Sequence, residues 1–226
     1  NALQAQAKFP TPQAAFFVDV LGCTFVNNTA RQNLQTLLLL VDLYGAEESW
    51  RVRITQTSFL SNQYRGLGAA LITVLGLRSG AVTIDHCVFA GNFVDRELTT
   101  RDDAGGLIAL EAANVTVTRC DFVGNRVTKA SRAVSDLASR GVLLTLITDS
   151  FAVVSDVTMR DNSVSIEAGA CSRLTLNGLL LWIGGRADAP VTQQLLTSVR
   201  ALNVSRNSAT ATHDCLSAMV FGGLLS

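Results

Sequence analysis

Residues 85 to 87 of the sequence, Asp85-His86-Cys87, place a carboxylate, an imidazole and a thiol in consecutive positions. Groups of these types act as general acids and bases, as nucleophiles or as metal ligands. They belong to the segment VTIDHCVFAGN (82–92), and the chain later reads VTVTRCDFVGN (115–125). The apolar residues, the Cys, the Phe and the final Asn return in the second segment, but the Asp and the His do not. This comparison favours a structural repeat over a catalytic site.

The repeat can be written as a template with apolar residues at p, p+2, p+5 and p+7 and Asn at p+10. The alternation within each apolar pair predicts a short strand, and the offset of three between p+2 and p+5 predicts a bend between two strands. Another apolar segment precedes most units, which gives about three short strands per repeat, the pattern of a parallel β-helix. The template fits, with some substitutions, from Val18, Val52, Val82, Val115, Ala152, Leu174 and Thr197.

We therefore predict an all-β fold, a right-handed parallel β-helix (a solenoid) of about seven to eight coils. It would occupy residues 18–226, and residues 1–17 would form an N-terminal lead-in or cap. Because the end of such a stack exposes unpaired backbone, we expect it to continue beyond the C-terminus or to stack on another copy. Head-to-tail stacking that does not close produces a filament.

The terminal Asn of the template recurs at one place in the coil, just after the last strand. Stacked Asn side chains can hydrogen-bond along such a row, and Asn tolerates the left-handed backbone of a tight turn. The predicted structural asparagine ladder comprises Asn28, Asn62, Asn92, Asn125, Asn162 and Asn207. The Phe at p+7 is predicted to stack inside the coil as core.

The cysteines Cys23, Cys87 and Cys120 all fall at p+5, an inward position of the template. They can be small buried hydrophobic residues, as free Cys often is. Alternatively, Cys87 and Cys120 form a disulfide, because stacking of adjacent coils brings their Cα atoms near a permitted distance. The spacing of the five cysteines matches no zinc site.

Three N-glycosylation sequons begin at Asn27, Asn114 and Asn203. The template places each of these residues where it is exposed, in a turn, before a strand and at the outward p+6 position. N-linked glycans at the three sites are therefore an expectation if the protein comes from a eukaryote.

Composition narrows the classes of function. The chain has 226 residues, 48% of them hydrophobic, with 18 basic and 18 acidic residues. A balanced charge lacks the basic footprint of a nucleic-acid-binding protein. The most apolar run, residues 37–41, is broken by Asp42 and is far shorter than the roughly 20 residues of a transmembrane helix. We expect no nucleic-acid partner, no transmembrane segment in this chain and no cofactor.

The segments GAALI and FAGN (68–72 and 89–92) and GGLIA and FVGN (105–109 and 122–125) resemble the GGA(I/L/V) and FxxN repeats of chlamydial polymorphic outer membrane proteins and related adhesin-like β-helix proteins. The resemblance covers roughly residues 18 to 207. It implies a cell-surface or extracellular protein that is not an enzyme and has a structural or adhesive role, through self-association or contact with other surface proteins.

Two other classes of function stay open. The segment TIDHCVF (83–89) resembles the W-I-D-H segment of pectate lyases, which are β-helices, and this implies a polysaccharide-binding or polysaccharide-cleaving protein with Asp85 near calcium. However, the equivalent residues of the neighbouring repeats, Thr55 and Thr118, give no row of carboxylates for a hard cation. We therefore predict no catalytic residue and no metal site. A segment of a phage or viral fibre is the third interpretation.

Overall fold

The computed structural model describes residues 3–6, 16–31, 36–43, 50–66, 70–76, 80–98, 102–104, 106–131, 136–169, 173–185, 195–213 and 217–221, which contain strands and no helix. The strands are β1 (Leu3–Gln6), β2 (Phe16–Leu21), β3 (Thr24–Val26), β4 (Thr29–Arg31), β5 (Thr36–Leu43), β6 (Trp50–Thr55), β7 (Ser58–Leu60), β8 (Gln63–Gly66), β9 (Ala70–Gly76), β10 (Ala81–Asp85), β11 (Val88–Ala90), β12 (Phe93–Leu98), β13 (Asp102–Ala104), β14 (Ile108–Thr118), β15 (Asp121–Val123), β16 (Arg126–Ser131), β17 (Asp136–Arg140), β18 (Leu144–Arg160), β19 (Ser163–Ala168), β20 (Arg173–Asn177), β21 (Leu181–Gly184), β22 (Leu196–Ser205), β23 (Ser208–His213) and β24 (Ser217–Phe221).

All strand pairs in this part of the chain are parallel, and each joins equivalent positions of successive repeats. For example, Val82 of β10 pairs with Val52 of β6 on one side and with Val115 of β14 on the other. The strands form a 14-stranded sheet, a 6-stranded sheet in the order β23-β19-β16-β12-β8-β4, and a 4-stranded sheet in the order β13-β17-β20-β24. The prediction of an all-β fold with long parallel sheets, as in a β-helix or solenoid, is confirmed.

The predicted lead-in, residues 1–17, contains β1 and the start of β2. Strand β1 pairs with β5, and β2 pairs with β6 from Phe16 onward. Parallel pairing therefore extends to Leu3 among the residues that the structure describes.

The repeat unit predicted from Leu174 is wrong. Asn162 hydrogen-bonds to Asn207, 45 residues later, and not to Gly184. Leu174 of β20 pairs instead with Leu137 of β17, and Gly184 of β21 pairs with Ile147 of β18. Asn162 and Asn207 are thus consecutive members of the ladder.

The spacing of the leucines is the reason for this error. Gly178 has a left-handed backbone (φ 49°), as the residue at p+4 does in true units, so the apolar residues on either side of it reproduce half of the template. The second left-handed corner, which precedes Asn in true units, is missing at Ile183. Apolar spacing alone does not distinguish one corner of a coil from another.

Two columns of left-handed residues shape each true unit. One column lies at p+4, between the two short strands, and the other at p+9, immediately before the ladder Asn. The backbones of the ladder asparagines are not left-handed, so the conformation of the turn does not explain why Asn recurs at p+10. The columns are Gly22, Gln56, His86, Arg119, Asp156 and Ala201 at p+4, and Asn27, Ser61, Gly91, Gly124, Asp161 and Arg206 at p+9, with φ between 48° and 63°.

The interior of the coils is filled by rows of identical apolar side chains. Phe25, Phe59, Phe89 and Phe122 stack face to face, with ring centroids 4.8–5.1 Å apart and interplanar angles of 10° or less. Met159 continues the row and is fully buried. The in-register parallel strands impose this stacked geometry, because their spacing of about 4.8 Å equals the separation of the rings.

The ladder asparagines lie at the edge of this core, and Asn62, Asn92, Asn125 and Asn162 are at most 1% exposed. Each Oδ1 accepts hydrogen bonds from the backbone N and the Nδ2 of the preceding ladder Asn, as Asn92 does from Asn62 at 3.0 and 2.9 Å. Each Nδ2 also donates to a carbonyl of the preceding coil, as Asn92 does to Phe59 at 2.9 Å. The side-chain amide therefore satisfies its polar atoms within the protein, which buried amides require. The ladder runs without interruption from Asn28 to Asn207.

We expect the substitution Asn92→Ala to lower the free energy of unfolding by about 2–4 kcal/mol. It leaves the N–H groups of Asn62 without their acceptor and the carbonyl of Phe59 without its donor, and each buried unsatisfied group costs roughly 1–3 kcal/mol. Urea denaturation followed by circular dichroism measures the change.

The exposed neighbour Gln63 provides a matched control for this substitution. Gln63→Ala should change the free energy of unfolding by less than about 0.5 kcal/mol, as surface substitutions usually do. Equal effects of the two substitutions would contradict a stabilising role for the ladder.

Candidate functional site

The candidate site on the outer face of the sheet is centred on Asp85, the last residue of β10. Its Oδ1 accepts hydrogen bonds from the hydroxyl of Thr118 and from Nε of Arg119, the latter at 2.9 Å. Its Oδ2 accepts from Nη2 of Arg119 at 2.8 Å and lies 2.9 Å from Nδ1 of His86. The four residues form one polar cluster, which joins two adjacent coils.

The repeat explains how these side chains meet. Asp85 pairs in register with Thr118 on one side and with Thr55 on the other, as the template predicts. His86 and Arg119 occupy the left-handed p+4 column, with φ of 51° each, and their side chains are about half exposed. The bend therefore turns an imidazole and a guanidinium outward, beside the carboxylate that ends the strand.

The electrostatics of the cluster favour an ionised aspartate. Partial burial acts to raise the pKa of Asp85, but the hydrogen bonds from Thr118, His86 and Arg119 together outweigh it and lower the pKa. A carboxylate has about four acceptor positions, and four donors already surround this one. A cation could bind to Asp85 only by displacing these donors.

No group of three or more His, Cys, Asp or Glu side chains that could hold a metal ion occurs within the described residues. Thr55 and Thr118 occupy the positions equivalent to Asp85 in the two neighbouring coils. Their hydroxyl groups are weaker ligands for calcium than carboxylates are. The geometry thus suits a surface ion pair better than a calcium site.

Other ion pairs on the outer surface have the same geometry. Arg53 forms a two-point contact with Asp19 of the preceding coil, with N–O distances of 3.0 and 3.1 Å. Arg206 contacts Asp161 in the same way, at 2.6 and 2.8 Å, and these bonds lower the pKa of Asp161. Since each pair joins successive coils, the contact between Asp85 and Arg119 belongs to a recurring type of cross-coil link.

Behind this cluster, Cys87 and Cys120 occupy adjacent coils at the inward p+5 position and are 1% exposed or less. They are free thiols in the structure, and each donates to a backbone carbonyl, Cys87 to Asp85 at 3.3 Å and Cys120 to Thr118 at 3.0 Å. The neighbouring thiol of Cys120 lowers the pKa of Cys87 despite burial, and the thiol of Cys87 together with burial raises the pKa of Cys120. Cys23 is half-buried next to Thr57 of the following coil, and Cys171 and Cys215 lie outside the described residues.

The three sequon asparagines are all exposed. Asn27 occupies a left-handed corner (φ 53°), and Asn203 lies on the outward side of β22, paired with Thr158. Asn114 lies within β14, where the pairing with β18 shifts register, and its backbone N–H donates to the carbonyl of Gly80. A glycan could be attached at each of these positions without entering the core.

Two features were missed by the analysis of the sequence. The sequence pattern did not identify Arg119 as a partner of Asp85. In the next coil Thr118 is equivalent to Asp85, and Arg119 is the residue that follows it. Lys129 falls in a polar segment yet belongs to β16 and is fully buried, with Nζ 3.2 Å from the hydroxyl of Ser139. Its inward position could have been inferred from its register with Arg96 and Ile166.

Comparison of the chain with protein-family models, with curated proteins and with solved structures finds no match. The described parts of the chain also contain no helix with the length and hydrophobicity needed to cross a membrane.

We expect Asp85→Asn to reduce stability at neutral pH by at most about 1 kcal/mol, because the guanidinium of its partner Arg119 is about half exposed and solvent screens the pair. The folded pKa of Asp85 lies below its ordinary value, so the contribution of the carboxylate is complete above about pH 4 and is lost as the pH falls through the folded pKa. The difference between wild type and variant should therefore shrink progressively as the pH falls below about 4.

Thermal unfolding of both proteins between pH 2 and pH 7 measures this difference. Arg53→Gln, which removes the equivalent pair with Asp19, provides a comparison on another coil. A stability difference for Asp85→Asn that persists unchanged at pH 2 would show that the charge of Asp85 is not the cause.

Proposed function

We propose that the chain is an extracellular or cell-surface protein with a structural or adhesive role, not an enzyme, and that it folds as a right-handed β-helix. The right hand is supported by a general rule, since crossovers between parallel strands of one sheet are right-handed in nearly all proteins. The repeats FxxN, present at Phe25–Asn28, Phe59–Asn62, Phe89–Asn92 and Phe122–Asn125, support kinship with adhesin-like β-helix proteins.

The observation that carries the proposal is the uninterrupted asparagine ladder next to the stack of phenylalanines. Both rows repeat one set of contacts from coil to coil, so that the molecule is reinforced along the axis of the stack. A protein with this construction is suited to bear load or to hold a binding surface away from its point of attachment.

An outer apolar row, defined here as Val26, Leu60, Ala90 and Val123, supports the adhesive part of the proposal. These residues are in register on four successive coils and point away from the phenylalanine stack. Val26 is 51% exposed, and the others are half-buried. Contiguous apolar residues on a surface are typical of sites of protein contact.

The exposed positions of Asn27, Asn114 and Asn203 support N-glycosylation as part of the same proposal. Glycans at these positions would be accommodated outside the coil, and they are compatible with an extracellular location.

A polysaccharide-binding or polysaccharide-cleaving protein is the second candidate. It is favoured by the proximity of Asp85, His86 and Arg119 on the outer face, because a carboxylate and an imidazole can transfer protons and a guanidinium can bind the carboxylate of an acidic sugar. The four donors around the carboxylate weigh against calcium binding there.

Electron microscopy of the native material, combined with its intact mass, tests the proposal. We expect filaments with an axial repeat of about 30 Å, because the six asparagines of the ladder mark six coils at about 4.8 Å each, fewer than the seven to eight expected before the unit at Leu174 was excluded. We also expect a subunit mass above 24.0 kDa that falls to this value after enzymatic removal of N-glycans.

Two variants sharpen this experiment. Leu60→Glu introduces a charge into the outer apolar row and should reduce lateral bundling of filaments, whereas Ser58→Glu changes an outward residue of the same strand outside that row. Discrete particles of 24.0 kDa that cleave an acidic polysaccharide in the presence of calcium would overturn the proposal in favour of the second candidate.

A further inference from the structure

Cys87 and Cys120 lie at equivalent positions of adjacent coils, where a disulfide could join them. The flanking residues pair in register, Asp85 with Thr118 and Val88 with Asp121, so the two cysteines occupy the same place on neighbouring coils. Parallel strands lie about 4.8 Å apart, within the range of about 4.4–6.8 Å found between Cα atoms of disulfides. Both side chains are buried in the core at this level, with at most 1% of each exposed.

We propose that Cys87 and Cys120 form an inter-coil disulfide when the chain folds in the presence of a disulfide oxidant, and that the structure shows the reduced form of this site. This inference goes beyond the proposed function, since it depends on the chemistry of the two thiols and not on any binding partner. Such a bond would fix the third and fourth coils of the asparagine ladder to each other covalently.

The reaction is a thiol–disulfide exchange. The thiolate of Cys87 attacks one sulfur of the oxidant, a mixed disulfide forms, and the first thiolate of the oxidant leaves and takes up a proton. Cys120 then loses its proton and attacks Sγ of Cys87, which releases the second half of the oxidant as a thiol. Two protein thiols and one oxidant disulfide thus become one protein disulfide and two small thiols.

Burial of the pair determines when the reaction can take place. Because both side chains are almost fully buried, the exchange has to take place while the coils close during folding.

The same column contains an internal control. Cys23 is also at p+5 but is separated from Cys87 by Thr57, which accepts a hydrogen bond from the backbone of Cys23. Two coil spacings amount to about 9.6 Å, which exceeds the disulfide range. Cys23 should therefore stay free under conditions that oxidise the pair.

The test is oxidative refolding followed by peptide mapping. The chain is unfolded in denaturant with reductant and refolded either with a mixture of oxidised and reduced glutathione or with reductant alone. The small thiols are then removed at acidic pH, and free cysteines are alkylated in fresh denaturant, where buried thiols can react. Trypsin cleaves after Arg78, Arg96, Arg119 and Arg126, so the two cysteines leave in separate peptides, 79–96 and 120–126. Mass spectrometry without reduction then shows whether these peptides are linked.

We expect the linked peptide, two mass units lighter than the sum of its parts, only after oxidative refolding, with Cys23 alkylated in both samples. In Cys87→Ser, which circular dichroism must show to be folded, Cys120 should be alkylated in full. The oxidised wild type should also unfold at a higher urea concentration than its reduced form, whereas Cys87→Ser should show no such difference.

Complete alkylation of Cys87 and Cys120 after oxidative refolding would overturn the proposal. A disulfide from either residue to Cys23, Cys171 or Cys215 would overturn it as well. Neither result would bear on the structural or adhesive function, which microscopy and cleavage assays test separately.

Discussion

The rest of the structure depends on one constraint, the need of a buried side-chain amide to have all its polar atoms hydrogen-bonded. In the interior position at p+10, an isolated Asn would be costly, because its carbonyl and its amino group would lack water. Stacking the same residue on the next coil supplies the missing partners, as Asn125 does for Asn92 through its Oδ1. The strands are thereby held in a single register, since a shift by one residue would break every contact of the row.

The inside and the outside of the coil are under different constraints. Inward positions are filled by rows of like residues. Outward positions vary from coil to coil and carry charged side chains, hydroxyl groups, apolar residues and sequons. The link from Asp85 to Arg119 and the link from Asp19 to Arg53 show how the outer residues still join neighbouring coils. Because a solenoid can tolerate such variation on its surface, the fold alone does not define the function.

The parallel coils were predictable from the sequence because each true unit repeats its apolar spacing and ends in Asn. The buried positions of Cys87 and Phe89 follow directly from that pattern. Two things were not predictable from apolar spacing. The false unit at Leu174 shows that leucines around a different corner produce the same periodicity, although the Gly in place of Asn was a signal against it. The cluster around Asp85 forms because the left-handed residues His86 and Arg119 turn their side chains outward beside it. Predicting this contact requires knowledge of the register between the two coils.

The most direct test of this account is a double-mutant cycle for the last link of the ladder, with Asn162→Ala and Asn207→Ala measured singly and together by urea denaturation. If the two residues contact each other although they are 45 residues apart, each single substitution removes the hydrogen-bond partner of the other residue, and the coupling energy should be about 1–2 kcal/mol. Asn28→Ala combined with Asn162→Ala, at distant coils, should be additive. Additivity within about 0.5 kcal/mol for the pair Asn162 and Asn207 would contradict the register on which the whole description is built.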